Sequence, residues 1–326
     1  MKIAFYNTKP YDKLWFEPLG EEYGFQIDFF ESPCNSASLA LANGHDAICI
    51  FVNDKITSAM IYELVAMGVK AILLRCAGYN QVDLNAAKGR IKILRVPSYS
   101  PEAVAEFAMT LLLTVNRCTH RAYSRTRDFN MSINGLMGQN LYQKTVGVIG
   151  TGKIGQAFMR ICKGFGMNIL AYDPYPNKDL DVTYVSLEEL LKESHIVSLH
   201  CPLMDNTKHL INAETIALMR DGVYLINTSR GGLINTEDLI AGLSKRKFNG
   251  VALDVYEEED GLFYEDLSNE IINDEVLVRL ASFPNVLITS HMGFFTEEAV
   301  HSIAETTLEN AKAVDEGLEL ANEVTA

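Results

Sequence analysis

Short apolar runs alternate with amphipathic stretches along almost the whole chain. In the first hundred residues the runs lie at 2–6, 26–30, 47–52, 71–74 and 91–96. Their length and richness in Ile, Leu, Val and Phe predict buried strands, and helical candidates such as 58–67 separate them. Strands alternating with helices predict a parallel α/β sheet. Ser100-Pro101 opens a long predicted helix to about residue 123, with serine at the N-cap and proline at the first helical position. The polar loop DFNMSINGLMGQNLYQ then leads to a second series of strand-like runs at 145–149, 168–172, 195–200, 222–227, 249–252 and 286–289. A last helix over 296–317 puts Ala299, Ile303 and Leu308 on one side. The pattern predicts two domains, residues 1–99 with 298–326 and residues 100–297, the second inserted into the first.

The second series begins with KTVGVIGTGKIGQAFMRICKGFGMNILAYD. Gly150, Gly152 and Gly155 stand in G-x-G-x-x-G spacing between a strand and a helix carrying Ile154, Phe158, Ile161 and Phe165. A second strand follows and ends on Asp173. Each part has a physical use toward a dinucleotide. The first glycine permits a tight turn, the second lets backbone approach a pyrophosphate, and the third lets the helix sit close on the sheet. The helix N-terminus offers free N–H groups and partial positive charge to phosphates. An aspartate in the place of Asp173 accepts from the ribose hydroxyls and repels a 2′-phosphate, which favours NAD over NADP. A glycine turn without a ligand would show the same three glycines, but not the complete strand–helix–strand–acid context.

The length of 326 residues suits two domains, and 48% apolar with 21% charged residues describes an ordinary globular chain. No apolar run reaches the roughly 18 residues of a membrane span. The start, MKIAFYNTKPYDKLWF, has no apolar core and cleavage site of a secretory signal, so a cytoplasmic location is expected. The six cysteines are scattered singly, mostly in apolar segments, as reduced buried thiols would be. A net charge of −14 argues against nucleic acid and anionic membranes as partners. It also requires that any site for an anionic substrate be built locally, from arginine and backbone donors.

Three later segments are candidates for chemistry. INTSRGGLINTEDLI places Arg230 on a glycine-containing loop at the carboxyl end of a strand, where doubly wound folds bind ligands. An arginine there can clamp a carboxylate with a bidentate fork, or simply form a solvated ion pair. ALDVYEEEDGLF runs from a strand into Asp254 and an acidic cluster, which by itself reads as a solvated loop. LITSHMGFFTEEAV sets His291 just past the last strand; a lone histidine there is more often structural, although histidine readily exchanges a proton near neutral pH. His200 and Cys201 are adjacent on one strand and point to opposite faces, so no metal site is expected.

Together these segments resemble the D-2-hydroxyacid dehydrogenases, most closely the D-lactate dehydrogenase branch. The likeness covers nearly the whole chain, through LLRCAGYNQVDL, VPSYSPEAVAEFAM, GVIGTGKIG, HCPL, NTSRGG, LDVYEEEDGLF and SHMGFFTEEAV in the family's order. It implies a Rossmann NAD-binding domain inserted into a flavodoxin-like substrate domain, and a homodimer. It implies Arg230, Glu259 and His291 as the catalytic set. Arg230 would bind the substrate carboxylate and polarise the carbonyl, His291 would be the acid/base, and Glu259 would orient His291 and favour its charged form. The family's motif D-x-(Y/F)-E-x-E selects Glu259; composition alone allows Glu257, Glu258 or Asp260 equally. Ala77, Gly78 and Tyr99 would complete the substrate site. Lys153, Ile154, Cys201, Pro202, Asn206, Thr228, Ser229, Arg230 and Asp254 would join Gly150, Gly152, Gly155 and Asp173 around the cofactor. The sequence HMGFFTEE departs from the pattern by pairing Phe294 with Phe295, an apolar wall able to admit a side chain larger than methyl. The expected reaction is NAD-dependent reduction of a 2-oxo acid to the (R)-2-hydroxy acid, pyruvate to D-lactate first, with bulkier 2-oxo acids or an NAD-sensing binding role as alternatives.

Overall fold

In the first unit, Met1–Ser100 with Phe295–Ala326, five short strands pair in parallel. They are β1 (Lys2–Phe5), β2 (Gln26–Phe29), β3 (Ala47–Ile50), β4 (Ala71–Leu74) and β5 (Lys92–Arg95), in the order β2-β1-β3-β4-β5. This is the flavodoxin-like winding, with its reversal between β1 and β3. β3 and β4 read AICI and AILL and are buried at every position, as strands covered on both faces must be. The C-terminal helix Glu297–Glu316 belongs to this unit. Thr296 caps it by accepting from Ala299 N at 3.2 Å, and Gly317 ends it at φ +67°. Its Ala304, Leu308 and Ala311 share one buried core with Ile3, Phe5 and Phe16. The computed structural model describes residues 1–259 and 261–326.

The second unit, Pro101–Phe294, holds a seven-stranded parallel sheet. Its strands are β6 (Thr145–Ile149), β7 (Asn168–Tyr172), β8 (Thr183–Tyr184), β9 (Ile196–Leu199), β10 (Val223–Asn227), β11 (Phe248–Leu253) and β12 (Val286–Ile288). The order β12-β11-β10-β9-β6-β7-β8 is the Rossmann winding, reversing between β6 and β9. One face is covered by Pro101–Arg117 and by the fingerprint helix Lys153–Gly164, which share a buried core. The other face packs against Leu187–Glu193, Ala213–Leu218 and Thr236–Ser244.

The sequence pattern misses one strand and misplaces one helix end. The two-residue β8 is too short to leave a periodic signature. The helix from Pro101 does not run to 123: it stops at Arg117, Cys118 turns left-handed at φ +51°, and a second helix, Thr119–Arg127, buries no residue. No glycine or proline marks that break, so sequence alone reads through it. The compact units divide between Ser100 and Pro101 and between Phe294 and Phe295. Among the described residues no helix is long and apolar enough to cross a membrane.

Candidate active site

The fingerprint turn does what its glycines require. Gly150 leaves β6 at φ +95°, and a side chain there would meet the backbone of His200. A Cβ on Gly155 would collide with the Gly150 carbonyl, so only glycine lets the helix start this close to the strand. Gly152 faces open space, and no side chain caps the helix it begins, which leaves that N-terminus available to an anion. Lys153 is exposed and Ile154 half-buried in its first turn. Asp173, just past β7, is half-buried. Its Oδ2 accepts from Thr151 N (2.8 Å) and Thr151 Oγ1 (3.0 Å), and its Oδ1 accepts from Tyr175 N (2.9 Å). Burial works to raise this carboxyl, but those hydrogen bonds outweigh it and hold it below the usual carboxylate range. Thr151 was absent from the expected set, although it lies inside the fingerprint. Tyr184 of β8 donates to its hydroxyl at 3.0 Å.

Beyond β9, Cys201 is half-buried, while Pro202 and Asn206 are exposed. Burial pushes the Cys201 thiol up to about 11 and the neighbouring His200 imidazole down to about 3, so both stay neutral. Thr228, past β10, keeps a buried hydroxyl without a partner among the described residues. An open glycine turn, an uncapped helix N-terminus, a terminal aspartate and this orphaned hydroxyl all fit a bound dinucleotide.

The catalytic candidates of the second unit sit at the carboxyl ends of β10, β11 and β12. Asn227, the last residue of β10, joins two of these loops. Its Nδ2 donates to Arg230 O (2.9 Å), its Oδ1 accepts from Ser229 N (3.0 Å), and its carbonyl accepts from Asp254 N (2.9 Å). Arg230 is half-buried, with Nη1 on its neighbour's carbonyl, Ser229 O, at 2.6 Å. Glu259 Oε1 lies 2.8 Å from His291 Nδ1, and Glu259 Oε2 accepts from Tyr256 N at 3.0 Å. A carboxylate only accepts, so Nδ1 carries the hydrogen and Nε2 is left for other chemistry.

His291 itself adopts φ +53°, a conformation that costs energy for a residue with a Cβ. The surrounding hydrogen bonds enforce it. His291 N donates to Asp254 O (2.7 Å), and Tyr264 Oη donates to His291 O (2.7 Å). Asp254 Oδ1 accepts from Thr289 Oγ1 (2.6 Å) and Met292 N (2.9 Å), and its Oδ2 accepts from Gly293 N (2.7 Å). Burial raises the Asp254 carboxyl despite these donors. Only 1% of Asp254 is exposed, so it holds the histidine loop from inside.

The alternatives within the acidic cluster separate by partner. Glu257 pairs with His209, Glu258 is exposed, and Asp260 lies outside the described residues. Phe294 is buried at the end of the second unit. Phe295 is nearly half exposed and meets Tyr11 of its own unit edge-on at 4.8 Å. In the first unit, Ala77 and Gly78 follow β4, and their N–H groups donate to no acceptor among the described residues. Arg95 Nη1 holds that loop through Ala77 O at 2.9 Å, and Tyr99 is half-buried.

Residues 109–293 match the D-isomer specific 2-hydroxyacid dehydrogenase, NAD binding domain. The chain belongs to this family. It is 51% identical over 321 residues to a 2-hydroxyacid dehydrogenase homolog of Haemophilus influenzae, covering 97% of each. It is 49% identical over 328 residues to the D-lactate dehydrogenase of Escherichia coli, covering 99% of this chain and 100% of that one. The apo-structure of D-lactate dehydrogenase from Escherichia coli superposes with a TM-score of 0.92 at 46% identity over 100% of both chains. As a member of the family the chain is an NAD-dependent dehydrogenase acting on small 2-oxo and 2-hydroxy acids, with the two-domain α/β architecture already described.

Proposed function

We propose that this dehydrogenase reduces pyruvate to D-lactate and that Arg230, Glu259 and His291 carry the reaction. The 2.8 Å Glu259–His291 pair on a loop held in a left-handed turn is the observation that carries this reading. NADH, when bound, supplies the hydride. Gly150, Gly152, Lys153, Ile154, Gly155 and Asp173 would hold its adenosine half with Cys201, Pro202 and Asn206, and Thr228, Ser229 and Arg230 would lie under the nicotinamide. Arg230 takes the substrate carboxylate in a charge-assisted fork and draws electron density from the carbonyl. His291, with Nδ1 committed to Glu259, delivers a proton from Nε2 to the carbonyl oxygen. Glu259 fixes the ring and stabilises its charged form, and Asp254 fixes the loop. Ala77, Gly78 and Tyr99 enter as substrate ligands on the family likeness, supported by the N–H groups of the first two, which meet no acceptor among the described residues.

The test is NADH oxidation by the purified protein with pyruvate, followed by chiral analysis of the product. No activity, or L-lactate, overturns the reading. A second reading, reduction of bulkier 2-oxo acids, is favoured by Phe294 and Phe295, and the same assay across 2-oxobutyrate, 2-oxo-isocaproate and phenylpyruvate decides it.

The reading includes a homodimer and a cytoplasmic location. Phe129, Met131, Ile133, Met137 and Tyr142 follow a helix with no buried residue and are between 66% and 94% exposed, an apolar display suited to a second copy. Light scattering of the wild type and of Phe129→Asp with Ile133→Asp tests it, since the variant should fall to monomer. The cysteines, all free and four of them buried, suit a reducing compartment.

A further inference from the structure

A second histidine–glutamate pair lies directly behind the Arg230 loop. His209 Nε2 is 2.5 Å from Glu257 Oε1, and Glu257 Oε2 accepts from Thr236 N (3.3 Å) and Thr236 Oγ1 (3.1 Å). Both side chains of the pair are largely covered, His209 at 32% and Glu257 at 23% exposure. Burial opposes the Glu257 charge, but the His209 and Thr236 bonds outweigh it, so its carboxyl lies below the ordinary glutamate range.

The backbone around the pair shows what it joins. His209 N donates to Gly232 O (2.8 Å), Ile211 N to Leu233 O (2.9 Å), and Asn235 N to Ile211 O (2.8 Å). Segment 209–211 is thereby laced to the residues just past Arg230. His209 makes the turn into that lacing at φ +52°, a cost that the hydrogen bonds around it must offset. On the other side, the Gly231 backbone rests against Tyr256, where any side chain on Gly231 would collide with the Tyr256 carbonyl and Glu257 N. Tyr256 N in turn donates to Glu259. Among the described residues, Glu257 is therefore the side chain that bonds the 209 loop and the 236 helix start together from within the loop that carries Glu259.

We propose that His209 and Glu257 are positioning residues for the substrate-binding arginine, fastening the Arg230 loop to the Glu259 loop so that guanidinium and acid/base stay in register. This rests on the reading of Arg230 as the carboxylate ligand. Neither side chain need touch substrate. Their contribution is to hold a fork whose misplacement by about 1 Å costs on the order of a hundredfold in well-oriented chemistry.

The experiment compares full-length wild type, His209→Leu, His209→Gln and Glu257→Gln, and His209→Leu on an Arg230→Lys background. Pyruvate kcat and KM, the Ki of oxamate as a carboxylate-bearing analogue, NADH affinity by fluorescence, and amide hydrogen exchange over 231–236 are measured. His209→Leu and Glu257→Gln should raise KM and oxamate Ki roughly tenfold, more than they lower kcat, with NADH affinity little changed. His209→Gln, whose amide nitrogen can reach Glu257, should recover most of the loss. On the Arg230→Lys background the leucine substitution should add little, because the group it positions is already compromised. Exchange over 231–236 should quicken in His209→Leu and not in His209→Gln. Wild-type KM and Ki in His209→Leu, full additivity with Arg230→Lys, or unchanged exchange would each overturn the proposal. If wild type fails to turn over pyruvate, the functional reading falls, and the exchange arm still decides whether the pair fastens the loop.

Discussion

Replacing Glu259 with glutamine removes one charge and one acceptor while keeping the shape. Both carboxylate oxygens are in use, Oε1 toward His291 Nδ1 at 2.8 Å and Oε2 toward Tyr256 N at 3.0 Å, and both neighbours donate. An amide has a single acceptor oxygen. If that oxygen stays with Tyr256, the NH2 group faces Nδ1, which can accept only in the neutral ring. The charged, proton-donating ring would then point an N–H at another donor. A covered donor left without a partner costs about 1–3 kcal/mol. The side chains are 17% and 20% exposed, so some solvent reaches the pair and the lower half of that range applies. Through the rate expression, about 1–2 kcal/mol is roughly fivefold to 30-fold in kcat for reduction. NADH affinity should not change. The assay is kcat and kcat/KM against pH with NADH saturating, using NADH deuterated at the transferred position to confirm that chemistry limits the rate. A variant within twofold of wild type would refute the reasoning and leave Glu259 as a backbone acceptor for Tyr256 only.

Arg230→Lys keeps the charge but loses the planar fork, so kcat/KM should fall by about 2–5 kcal/mol and by more than kcat alone, with NADH binding spared; kinetics within threefold of wild type would remove Arg230 from the carboxylate site. Asp173→Ala should narrow the NADH-over-NADPH ratio of kcat/KM, and an unchanged ratio would mean that another residue reads the ribose. Because the Asp173 carboxyl is held below its usual range, its stabilising effect is full above that range and is lost as pH falls through the lowered value, so the gap in urea midpoint between wild type and Asp173→Ala should close toward acid pH. If Phe294 and Phe295 line a wall with spare volume, 2-oxobutyrate or 2-oxo-isocaproate should rival pyruvate in kcat/KM, with a graded preference of about 1–3 kcal/mol per methylene, whereas strict selectivity for pyruvate would show a closed pocket.

Much of this protein was legible in the order of its residues, and the reason is local. Apolar runs such as AICI, AILL and TVGVI must be buried on both faces, and the helices between them force parallel pairing, so strand positions and fold class follow from pattern. The fingerprint was legible because its requirements are steric and lie within a few residues: only glycine fits against the His200 backbone at position 150 and against the Gly150 carbonyl at position 155. The roles proposed for Arg230, Glu259 and His291 rest on the family likeness, since no spacing relates residues on three different loops. Composition left open which glutamate meets which histidine, and tertiary structure shows the pairing. Glu257 and Glu259 are two residues apart and alike in composition, yet one faces His209 and the other His291, because the chain turns between them and the loops that meet each face come from 48 and 32 residues away. The left-handed His291, the inward Asp254 clamp and the break at Cys118 likewise depend on partners distant in sequence or on a backbone state that no glycine or proline announces.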